Sequence, residues 1–444
     1  MSRYQKHPAY KDSGVEWVGE IPEHWEVKQA RHVFRIFSGS TPKSGEELFW
    51  DGDITWFTPE DLGNNQQKNI LESRRKITED GYKSCGTSLA KANSVVLSTR
   101  APIGHIALST VPACCNQGCR ILEPENSCSG YWYYTLLSAK PALQSLGQGS
   151  TFMELPRPSL ASLKLPYPPH EEQETIASFL DRKTAQIDEL IEKKEELLKK
   201  LDEKRTALIT HAVTKGLDST VPMKEFDAEW IGKIPMHWEV KRLKYIASCN
   251  DESLAENTDT QYEIKYIDIS SVNLSAGITH KETLSFEKAP SRARRIVRHG
   301  DTIVSTVRTY LKAIAPIIDP EENLIVSTGF AVIRPKEHYS SCFLGYFLQT
   351  EGFVGQVVAN SVGVSYPAIN ANELLQISVI VPPLEEQQAL ALHIERKTAT
   401  IERQKAQVTE AIERLKEYRI ALITDAVTGK MDVHSIRKKE SLPA

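Results

Sequence analysis

The segment "PPHEEQETIASFLDRKTAQIDELIEKKEELLKKLDEKRTALITHAVTKGLD" (Pro168–Asp218) decides the architecture of this chain, because it occurs twice. It aligns without a gap to "PPLEEQQALALHIERKTATIERQKAQVTEAIERLKEYRIALITDAVTGKMD" (Pro382–Asp432), and 23 of the 51 positions are identical. A shorter phrase, "WVGEIPEHWEV" (Trp17–Val27), also returns as "WIGKIPMHWEV" (Trp230–Val240), 213 residues later. The chain is therefore a tandem duplication, in which about 140 poorly matched residues lie between the two repeated parts of each copy.

The long repeated segments are predicted to be helices that pair with each other. Apolar residues recur every seven positions in the second segment, and the first follows the same pattern, although lysines occupy one position of each stripe. The stripe residues are Leu180, Ile187, Lys194, Leu201 and Leu208 in the first copy and Ile394, Ile401, Lys405, Val408, Leu415 and Leu422 in the second. At about 1.5 Å per residue such helices exceed the diameter of a small domain, so we expect an antiparallel coiled coil between the two copies. The alternative is that each helix lies on its own domain with its outer face solvated.

The poorly matched portions are predicted to be mixed α and β. "ANSVVLSTRAPIGHIAL" (Ala92–Leu108) and "GDTIVSTVRTYLKAIAPII" (Gly300–Ile318) each indicate a strand, a loop and a second strand, and both contain Ser-Thr followed closely by Arg. "YWYYTLLSA" (Tyr131–Ala139) and "CFLGYFLQT" (Cys342–Thr350) indicate short aromatic helices. The predicted order is thus a mixed α+β domain, a long helix, a second mixed domain and a second long helix.

No familiar catalytic or metal-binding motif accompanies this architecture. Phosphate loops, dinucleotide fingerprints, zinc-protease motifs and nucleophile elbows are absent from the sequence. His24 and His237 repeat together, but no cysteine nucleophile and no clear carboxylate constellation accompanies them, so we interpret them as structural. The seven cysteines are an odd number, typical of a reduced compartment, and their spacing does not favour a zinc site. With no secretory signal and no membrane-length apolar run, the sequence predicts a cytoplasmic protein.

Basic residues cluster in both variable portions, although the net charge of the chain is −4. Because arginine and lysine neutralise phosphates, and arginine also binds guanine edges, the clusters predict DNA contact in each copy. The predicted DNA-binding residues are Lys43, Arg74, Arg75, Lys76, Lys91 and Arg100 in the first copy and Arg292, Arg294, Arg295, Arg298, Arg308 and Lys312 in the second.

The duplication itself suggests a mechanism. Parts that stay alike are expected to do one job twice, such as docking two copies of one partner, whereas parts that differ are expected to recognise two different ligands. Paired antiparallel helices would relate the two domains by an approximate two-fold axis, which suits a duplex read in two places. The expected target is two unlike half-sites separated by an unread gap whose length the helices fix.

Four motifs carry a resemblance to a known family. They are "YKDSGVEWVGEIPEHWEVK" (Tyr10–Lys28), "SGSTPKSGEELFWDGDITWFTPEDL" (Ser38–Leu62), "NQG" (Asn116–Gly118) and the repeated Pro-Pro-x-Glu-Glu-Gln. In this order they resemble the specificity subunits of type I restriction-modification systems, over essentially the whole chain. The second copy departs from the pattern, because it has no Gly-x-Thr-Pro phrase and Ser327-Thr328-Gly329 stands where Asn-Gln-Gly is usual. The departure suggests a different half-site.

The resemblance implies target recognition domains at residues 1–169 and 217–383, spacer helices at 170–216 and 384–430, and a tail at 431–444. It implies double-stranded DNA as ligand and assembly with two modification subunits, which methylate adenine N6 with S-adenosylmethionine. It also implies restriction subunits that use ATP and Mg²⁺, while this chain holds no cofactor, no metal and no catalytic residue. Two rival hypotheses remain: a coiled-coil scaffold with two protein- or ligand-binding domains, and an enzyme whose site is not recognised.

Overall fold

A computed structural model of the chain describes residues 5–149, 153–225, 232–274, 277–363 and 365–435. The structure divides into two compact units, residues 1–193 with 410–444 and residues 194–409. Each unit therefore combines one variable portion with half of each long helix. The first two residues of the phrase that begins at Trp230, and all of the tail after residue 435, lie outside the described residues.

The described part of the first unit contains twelve strands, five short α-helices and parts of both long helices. The strands are β1 (Tyr10–Asp12), β2 (Glu20–Pro22), β3 (Glu26–Gln29), β4 (Phe34–Ser38), β5 (Trp50–Phe57), β6 (Asn69–Ile70), β7 (Lys76–Ile77), β8 (Ser94–Ser98), β9 (Ile106–Ser109), β10 (Ala113–Cys115), β11 (Cys119–Pro124) and β12 (Lys164–Tyr167). The helices are α1 (Pro59–Asn64), α2 (Glu79–Ser84), α3 (Ser129–Ser138), α4 (Lys140–Ser145), α5 (Arg157–Ser162) and α6 (His170–Lys215).

Strand β8 is the central strand of the five-stranded main sheet of the first unit. The main sheet has the order β4-β11-β8-β9-β6, and a three-stranded sheet has the order β10-β5-β7. All five residues of β8 are buried, as expected for a continuous apolar run covered on both faces. Because β8 and β11 are antiparallel with Ser98 opposite Cys119, the loop after β8 and the loop before β11 meet at one edge of the sheet.

The second unit follows the same plan with different details. Its strands are β13 (Met223–Glu225), β14 (Lys233–Pro235), β15 (Glu239–Arg242), β16 (Ala247–Cys249), β17 (Glu263–Ile267), β18 (Val272–Asn273), β19 (Gly277–Ile278), β20 (Glu282–Ser285), β21 (Ala293–Ile296), β22 (Thr302–Ser305), β23 (Ile314–Pro316), β24 (Leu324–Ser327), β25 (Phe330–Pro335) and β26 (Ser378–Val381). Its helices are α7 (Leu243–Ile246), α8 (Ser341–Leu348), α9 (Glu351–Ala359), α10 (Ala371–Leu374) and α11 (Leu384–Val427).

Two four-stranded sheets organise this second unit, in the orders β16-β25-β22-β23 and β20-β17-β24-β21. The central strand β22 is buried throughout and pairs with β25 so that Ser305 lies opposite Phe330. β22 and β25 thus correspond to β8 and β11. The predicted fold class of two mixed α and β copies, each followed by a long helix, is confirmed.

The long helices begin where the sequence predicts, because Pro-Pro precedes each and two glutamates fill each first turn. α6 has 46 residues and α11 has 44. In the first unit, Leu180 and Ile187 of α6 share one buried cluster with Leu422 and Ile423 of α11. In the second unit, Ile209 and Val213 of α6 share another with Leu390 and Ile394.

One ion pair between the long helices occurs once in each unit. In the first unit Arg419 Nε lies 2.9 Å from Asp188 Oδ1, and in the second Arg205 Nε lies 3.4 Å from Glu402 Oε1. Arg419 follows Arg205, and Glu402 follows Asp188, by the 214 residues that separate the two copies. Lys405, a polar interruption of the predicted stripe, is accommodated by Asp202 Oδ1 at 2.7 Å. Asp202 and Arg205 meet Lys405 and Glu402 in reverse order, so the helix segments of the second unit run antiparallel.

No helix within the described ranges is long and apolar enough to span a membrane.

Candidate nucleic-acid interface

In each unit, three loops meet around a threonine at one edge of the sheet that contains β8 or β22. In the first unit Thr99 N donates to Gly118 O and Leu155 N donates to Thr99 O, both at 2.8 Å. We call this loop edge 1, formed by residues 99–105, 116–118 and the described part of 147–155.

The second unit repeats the arrangement around Thr306. Thr306 N donates to Gly329 O at 2.8 Å, and Ile369 N donates to Thr306 O at 2.9 Å. We call this loop edge 2, formed by residues 306–313, 327–329 and the described part of 361–369. The two loops that the sequence analysis singled out in each copy, the one after Ser-Thr and the one at Asn-Gln-Gly or Ser-Thr-Gly, are thus brought together.

The sequence patterns did not predict that a third loop would join each edge. Gln148 and Glu154 exchange two backbone hydrogen bonds of 2.8 and 2.9 Å, and Val362 and Ala368 exchange bonds of 2.8 and 3.0 Å. These closing loops have no periodic apolar pattern, which is why pattern analysis passes over them. A signal was present nevertheless, because Gly149 and Gly363 stand 214 residues apart, the same offset that aligns the long helices.

The Gly-x-Thr-Pro phrase and the Asn-Gln-Gly turn of the first copy form a platform that adjoins loop edge 1 and shares residues 116–118 with it. Asn116 N donates to Phe57 O at 2.9 Å, Ser40 N donates to Cys115 O at 3.0 Å, and the Thr41 hydroxyl bonds the Gln117 side chain. Two indole N–H groups fix the chain before them: Trp56 Nε1 donates to Ser40 O at 2.9 Å and Trp50 Nε1 to Lys43 O at 3.3 Å. The Gly-x-Thr-Pro phrase and the Asn-Gln-Gly turn are therefore parts of one surface.

Four of the predicted basic residues of the first copy lie on or beside this platform. The guanidinium of Arg75 stacks 3.6 Å above the Trp50 ring, whose indole bonds the backbone of Lys43. Arg74 bonds Asp61 through its backbone N–H, and its side chain pairs with Glu60 at 2.6 Å. In the hairpin loop between β8 and β9 (residues 99–105), Arg100 NH1 is 4.0 Å from Glu154 Oε2.

The other two basic residues of the first copy are placed differently. Lys76 lies in β7, where it is half-buried and pairs with Thr55. Lys91 lies before β8, at the opposite end of that strand from Arg100, and its Nζ is 3.4 Å from Glu123 Oε1. The structure thus does not bring Lys91 together with loop edge 1.

In the second copy, Arg308 and Lys312 lie in the hairpin loop of edge 2 and both are exposed. Arg308 stands 5.1 Å above the Tyr366 ring of the closing loop. Arg292 also reaches this edge, because its carbonyl accepts from Thr328 N at 2.8 Å. Its guanidinium pairs with Asp268 at 2.6 Å and donates to Tyr266 Oη, and these contacts, chiefly the tyrosine hydrogen bond, raise the pKa of Arg292.

The remaining arginines of the "RARRIVR" run leave the edge along β21. Arg294 stacks 4.6 Å above the Phe286 ring, and Arg295 is half-buried with its Nε unbonded within the described residues. Arg298 lies at the far end of β22, where its backbone N–H bonds Asp301 at 2.7 Å and its guanidinium pairs with Glu252 at 2.7 Å. Arginines that lie close together in the sequence are therefore spread along β21, from loop edge 2 to the opposite end of the strand.

The predicted DNA-binding residues also differ in whether a carboxylate of the protein pairs with their side chains. Within the described residues, seven of the twelve side chains form no ion pair, and they are Lys43, Arg75, Lys76, Arg294, Arg295, Arg308 and Lys312. Of these, Lys43, Arg75, Arg308 and Lys312 are also exposed and lie on or beside the two loop edges. They carry uncompensated positive charge where a polyanion could bind.

The repeated phrases form a second feature that both units share, and it joins each variable domain to its long helix. Glu172 accepts from His24 Nε2 at 2.7 Å and from Trp25 Nε1 at 2.8 Å. In the second unit Glu386 accepts from His237 Nε2 at 2.8 Å and from Trp238 Nε1 at 3.0 Å. We call each arrangement a His-Trp-Glu clamp. Each of these glutamates belongs to a helix start and also binds a buried tryptophan, which is consistent with a structural role for the two histidines.

The glutamines that follow these glutamates secure the same junction. Gln173 Oε1 accepts from Cys128 N at 3.0 Å, and its amide donates to Pro168 O at 3.0 Å. Gln387 makes the corresponding bonds to Ser340 N at 2.9 Å and Pro382 O at 2.8 Å. The Pro-Pro-x-Glu-Glu-Gln phrase thus attaches a helix start to the domain before it.

The clustered cysteines form a packed interior. Cys114, Cys115 and Cys119 are buried, and burial raises the pKa of each thiol, that of Cys114 to about 12. Within the described ranges, no group of three or more histidine, cysteine, aspartate or glutamate residues is arranged to hold a metal ion.

Comparison with known proteins agrees with this architecture. The family model described as type I restriction modification DNA specificity domain matches residues 22–200 and again residues 235–414. A relative along the full length is the type I restriction enzyme MjaIX specificity subunit of Methanocaldococcus jannaschii, 26% identical over 453 residues, with 98% of this chain and 99% of that protein covered.

Two solved structures share the fold. One is a chain from work on complex assembly and conformational transition of the type I R-M system, with a TM-score of 0.66, 15% identity, and 92% of this chain and 98% of that chain covered. The other is the HsdS subunit from Thermoanaerobacter tengcongensis, with a TM-score of 0.51, 16% identity, and coverage of 93% and 98%. Because the family model matches both copies over most of their length, this chain belongs to the type I restriction modification DNA specificity domain family.

Proposed function

We propose that this chain is the DNA sequence-specificity subunit of a type I restriction-modification complex and reads a bipartite, asymmetric site. Each variable domain would recognise one half-site through its loop edge. The two long helices would pair as an antiparallel coiled coil and set the unread gap, a role that the duplicated Arg419–Asp188 and Arg205–Glu402 pairs support. The boundaries of the recognition domains are proposed at residues 1–169 and 217–383.

One observation carries the proposal: the same backbone framework presents different side chains in the two copies. Thr99 and Thr306 make equivalent hydrogen bonds to a glycine turn and to a closing loop. On that shared framework, edge 1 presents Arg100, Gln117 and Glu154, whereas edge 2 presents Arg308, Lys312 and Tyr366. A constant scaffold with variable loop residues is suited to recognition of two different sequences.

The charge pattern favours a subset of the predicted residues as the DNA contacts. We propose that Lys43, Arg75, Arg308 and Lys312 contact DNA, because they are exposed at the edges and unpaired among the described residues. Arg100, Arg74 and Arg292 lie at or beside the same edges and would first have to leave a carboxylate partner. For Lys76, Lys91, Arg294, Arg295 and Arg298, DNA contact has less support.

The catalytic steps are assigned to partners. Two modification subunits would bring S-adenosylmethionine and methylate adenine N6, and restriction subunits would use ATP and Mg²⁺ to translocate and cut DNA. This chain would supply recognition and docking, without a cofactor, in the cytoplasm. The repetition of the opening phrase and of the long helix in the two copies supports two equivalent attachments for the modification subunits.

Mapping of methylated adenines tests the proposal. DNA of random sequence is exposed to this chain together with its modification subunit and S-adenosylmethionine, and methylated positions are sequenced. We expect methylation within one bipartite motif whose halves differ. Methylation that does not depend on this chain, or that has no shared motif, would contradict the proposal.

Single substitutions then locate the interface. Arg308→Ala and Arg75→Ala are expected to weaken DNA binding by the assembled complex. A phosphate contact would lower the salt dependence by about one unit of slope, and a base contact would relax specificity at one position. Arg298→Ala and Lys91→Ala are matched controls at the far ends of β22 and β8 and should change binding little. Equal effects of all four would place the interface elsewhere.

A further inference from the structure

Loop edge 2 exposes four large apolar side chains in addition to its cations. The exposed fractions are 53% for Tyr310, 43% for Leu311, 77% for Val362 and 66% for Tyr366. Single exposed apolar residues are ordinary on a protein surface, but a contiguous group of them marks an interaction site.

Backbone and side-chain contacts bring these residues into one group, which we call the edge 2 apolar patch. The Thr309 hydroxyl lies 2.8 Å from the Ser361 hydroxyl, which joins the neighbours of Tyr310 and Val362. Thr309 N also donates to Pro367 O at 3.5 Å, next to Tyr366. The hairpin loop and the closing loop are therefore held together below the patch.

Positive charge lies next to the patch. Arg308 stands 5.1 Å above the Tyr366 ring, and Lys312 ends the same hairpin loop. Both are exposed, and neither forms an ion pair within the described part of the chain. A ligand that combines negative charge with an apolar surface would match both features.

The major groove of A·T-containing DNA has this combination. Phosphates line the groove, and the 5-methyl group of thymine is its apolar feature, which apolar side chains contact in sequence-specific complexes. Resting on the proposed function, we propose that loop edge 2 recognises thymine methyl groups in its half-site through the edge 2 apolar patch, while Arg308 and Lys312 bind the flanking phosphates.

Replacement of thymine by uracil tests this inference, because it removes only the methyl group. The probe is a duplex with the site defined by methylation mapping, bound by the assembled complex of this chain and its modification subunit. Each thymine of the two half-sites is replaced in turn, and replacements in the gap serve as controls. At one or more positions in one half-site we expect binding to weaken by about fourfold, the value of one buried methyl group. Gap replacements should have no effect.

A variant assigns the effect to the patch. In Tyr366→Ala or Val362→Ala complexes, thymine and uracil duplexes should bind equally at the position that the altered side chain contacts. Tyr245→Ala is the matched control, because Tyr245 is 60% exposed but belongs to α7, next to β16 at the opposite end of β25 from loop edge 2. It should keep the full uracil effect.

The possible failures are distinguishable. If the complex binds its site specifically but no uracil replacement matters, the inference is wrong and the proposed function stands. If Tyr366→Ala leaves the uracil effect intact and instead releases the modification subunit, the patch binds a protein and the inference is again wrong. If there is no sequence-specific binding at all, the proposed function itself fails.

Discussion

Glu172 accepts hydrogen bonds from two side chains that stand 148 and 147 residues earlier in the sequence, His24 and Trp25. Trp25 is fully buried, so its indole N–H has no access to solvent. The carboxylate therefore satisfies a donor that would otherwise be buried without a partner. This explains, at the scale of one residue, why Glu-Glu-Gln and His-Trp are retained together in both copies.

Glu172→Ala is expected to destabilise the first unit by about 1 to 3 kcal/mol, the cost of leaving a buried donor unsatisfied. Urea unfolding monitored by tryptophan fluorescence measures the change. Glu171→Ala is the control, because Glu171 occupies the same helix turn with an exposed side chain. Equal losses from both substitutions would show that the helix dipole, and not the clamp, is responsible.

The basic residues show that sequence alone does not predict which charged side chains are paired. Residue type and local clustering were enough to select Arg75 and Arg308, which lie beside and within the loop edges. They could not reveal that Arg298 is neutralised by Glu252, because that partner is 46 residues away and only the sheet brings the two together. Ion pairs between distant residues require the tertiary structure.

At the scale of secondary-structure elements, both long helices were predictable because a heptad pattern, two prolines and two glutamates all indicate the same element. The strand pairs on either side of each hairpin loop were predictable for a similar reason, since β-branched runs bounded each loop. The closing loops at residues 147–155 and 361–369 were not. Their position depends on hydrogen bonds to Thr99 and Thr306, which local sequence patterns do not record.

Reversal of the Arg419–Asp188 pair tests the contact between the long helices. Asp188→Arg is expected to lower the melting temperature of the chain, because it sets two positive charges side by side at a contact where Arg419 is 26% exposed. Adding Arg419→Asp should recover most of the loss. The coupling energy is expected to be about 0.2 to 1 kcal/mol, typical of pairs near the surface.

Glu192→Arg provides the matched control for that pair, because Glu192 is exposed on the same helix. It should have little effect, and Arg419→Asp should not rescue it. If the Asp188 double variant is no more stable than the single variants, the two helices do not meet in this register.

At the scale of the whole molecule, the end of α11 and the described residues after it pack into the core of the first unit. Met431 and Val433 are buried in the same core cluster as Trp25 and Trp132, and Asp432 N donates to Gln5 O at 2.8 Å. The hydrophobic core of the first unit is therefore completed by residues that stand more than 200 positions after the start of α6.

Met431→Ala is expected to destabilise the first unit by about 2 to 5 kcal/mol, as for other large-to-small changes in a core. Limited proteolysis with mass spectrometry should then show new cleavages within residues 5–149, far away in sequence. Lys430→Ala changes an exposed neighbour and should leave the digestion pattern unaltered. New cleavages confined to the C-terminal residues would contradict the assignment of Met431 to this core.

Each clamp tryptophan also contacts the end of the other long helix. A Cβ placed on Gly429, just after α11, would lie 2.3 Å from Pro22 Cδ and 3.1 Å from the Trp25 ring, and one on Gly216, just after α6, would lie 3.4 Å from the Trp238 ring. A domain that contacts one helix segment can turn about that contact, whereas a domain that contacts two helix segments is restrained by both. Each variable domain is thus held by segments of both long helices within its own unit, so a change at either helix segment is expected to alter the orientation of the domain beside it.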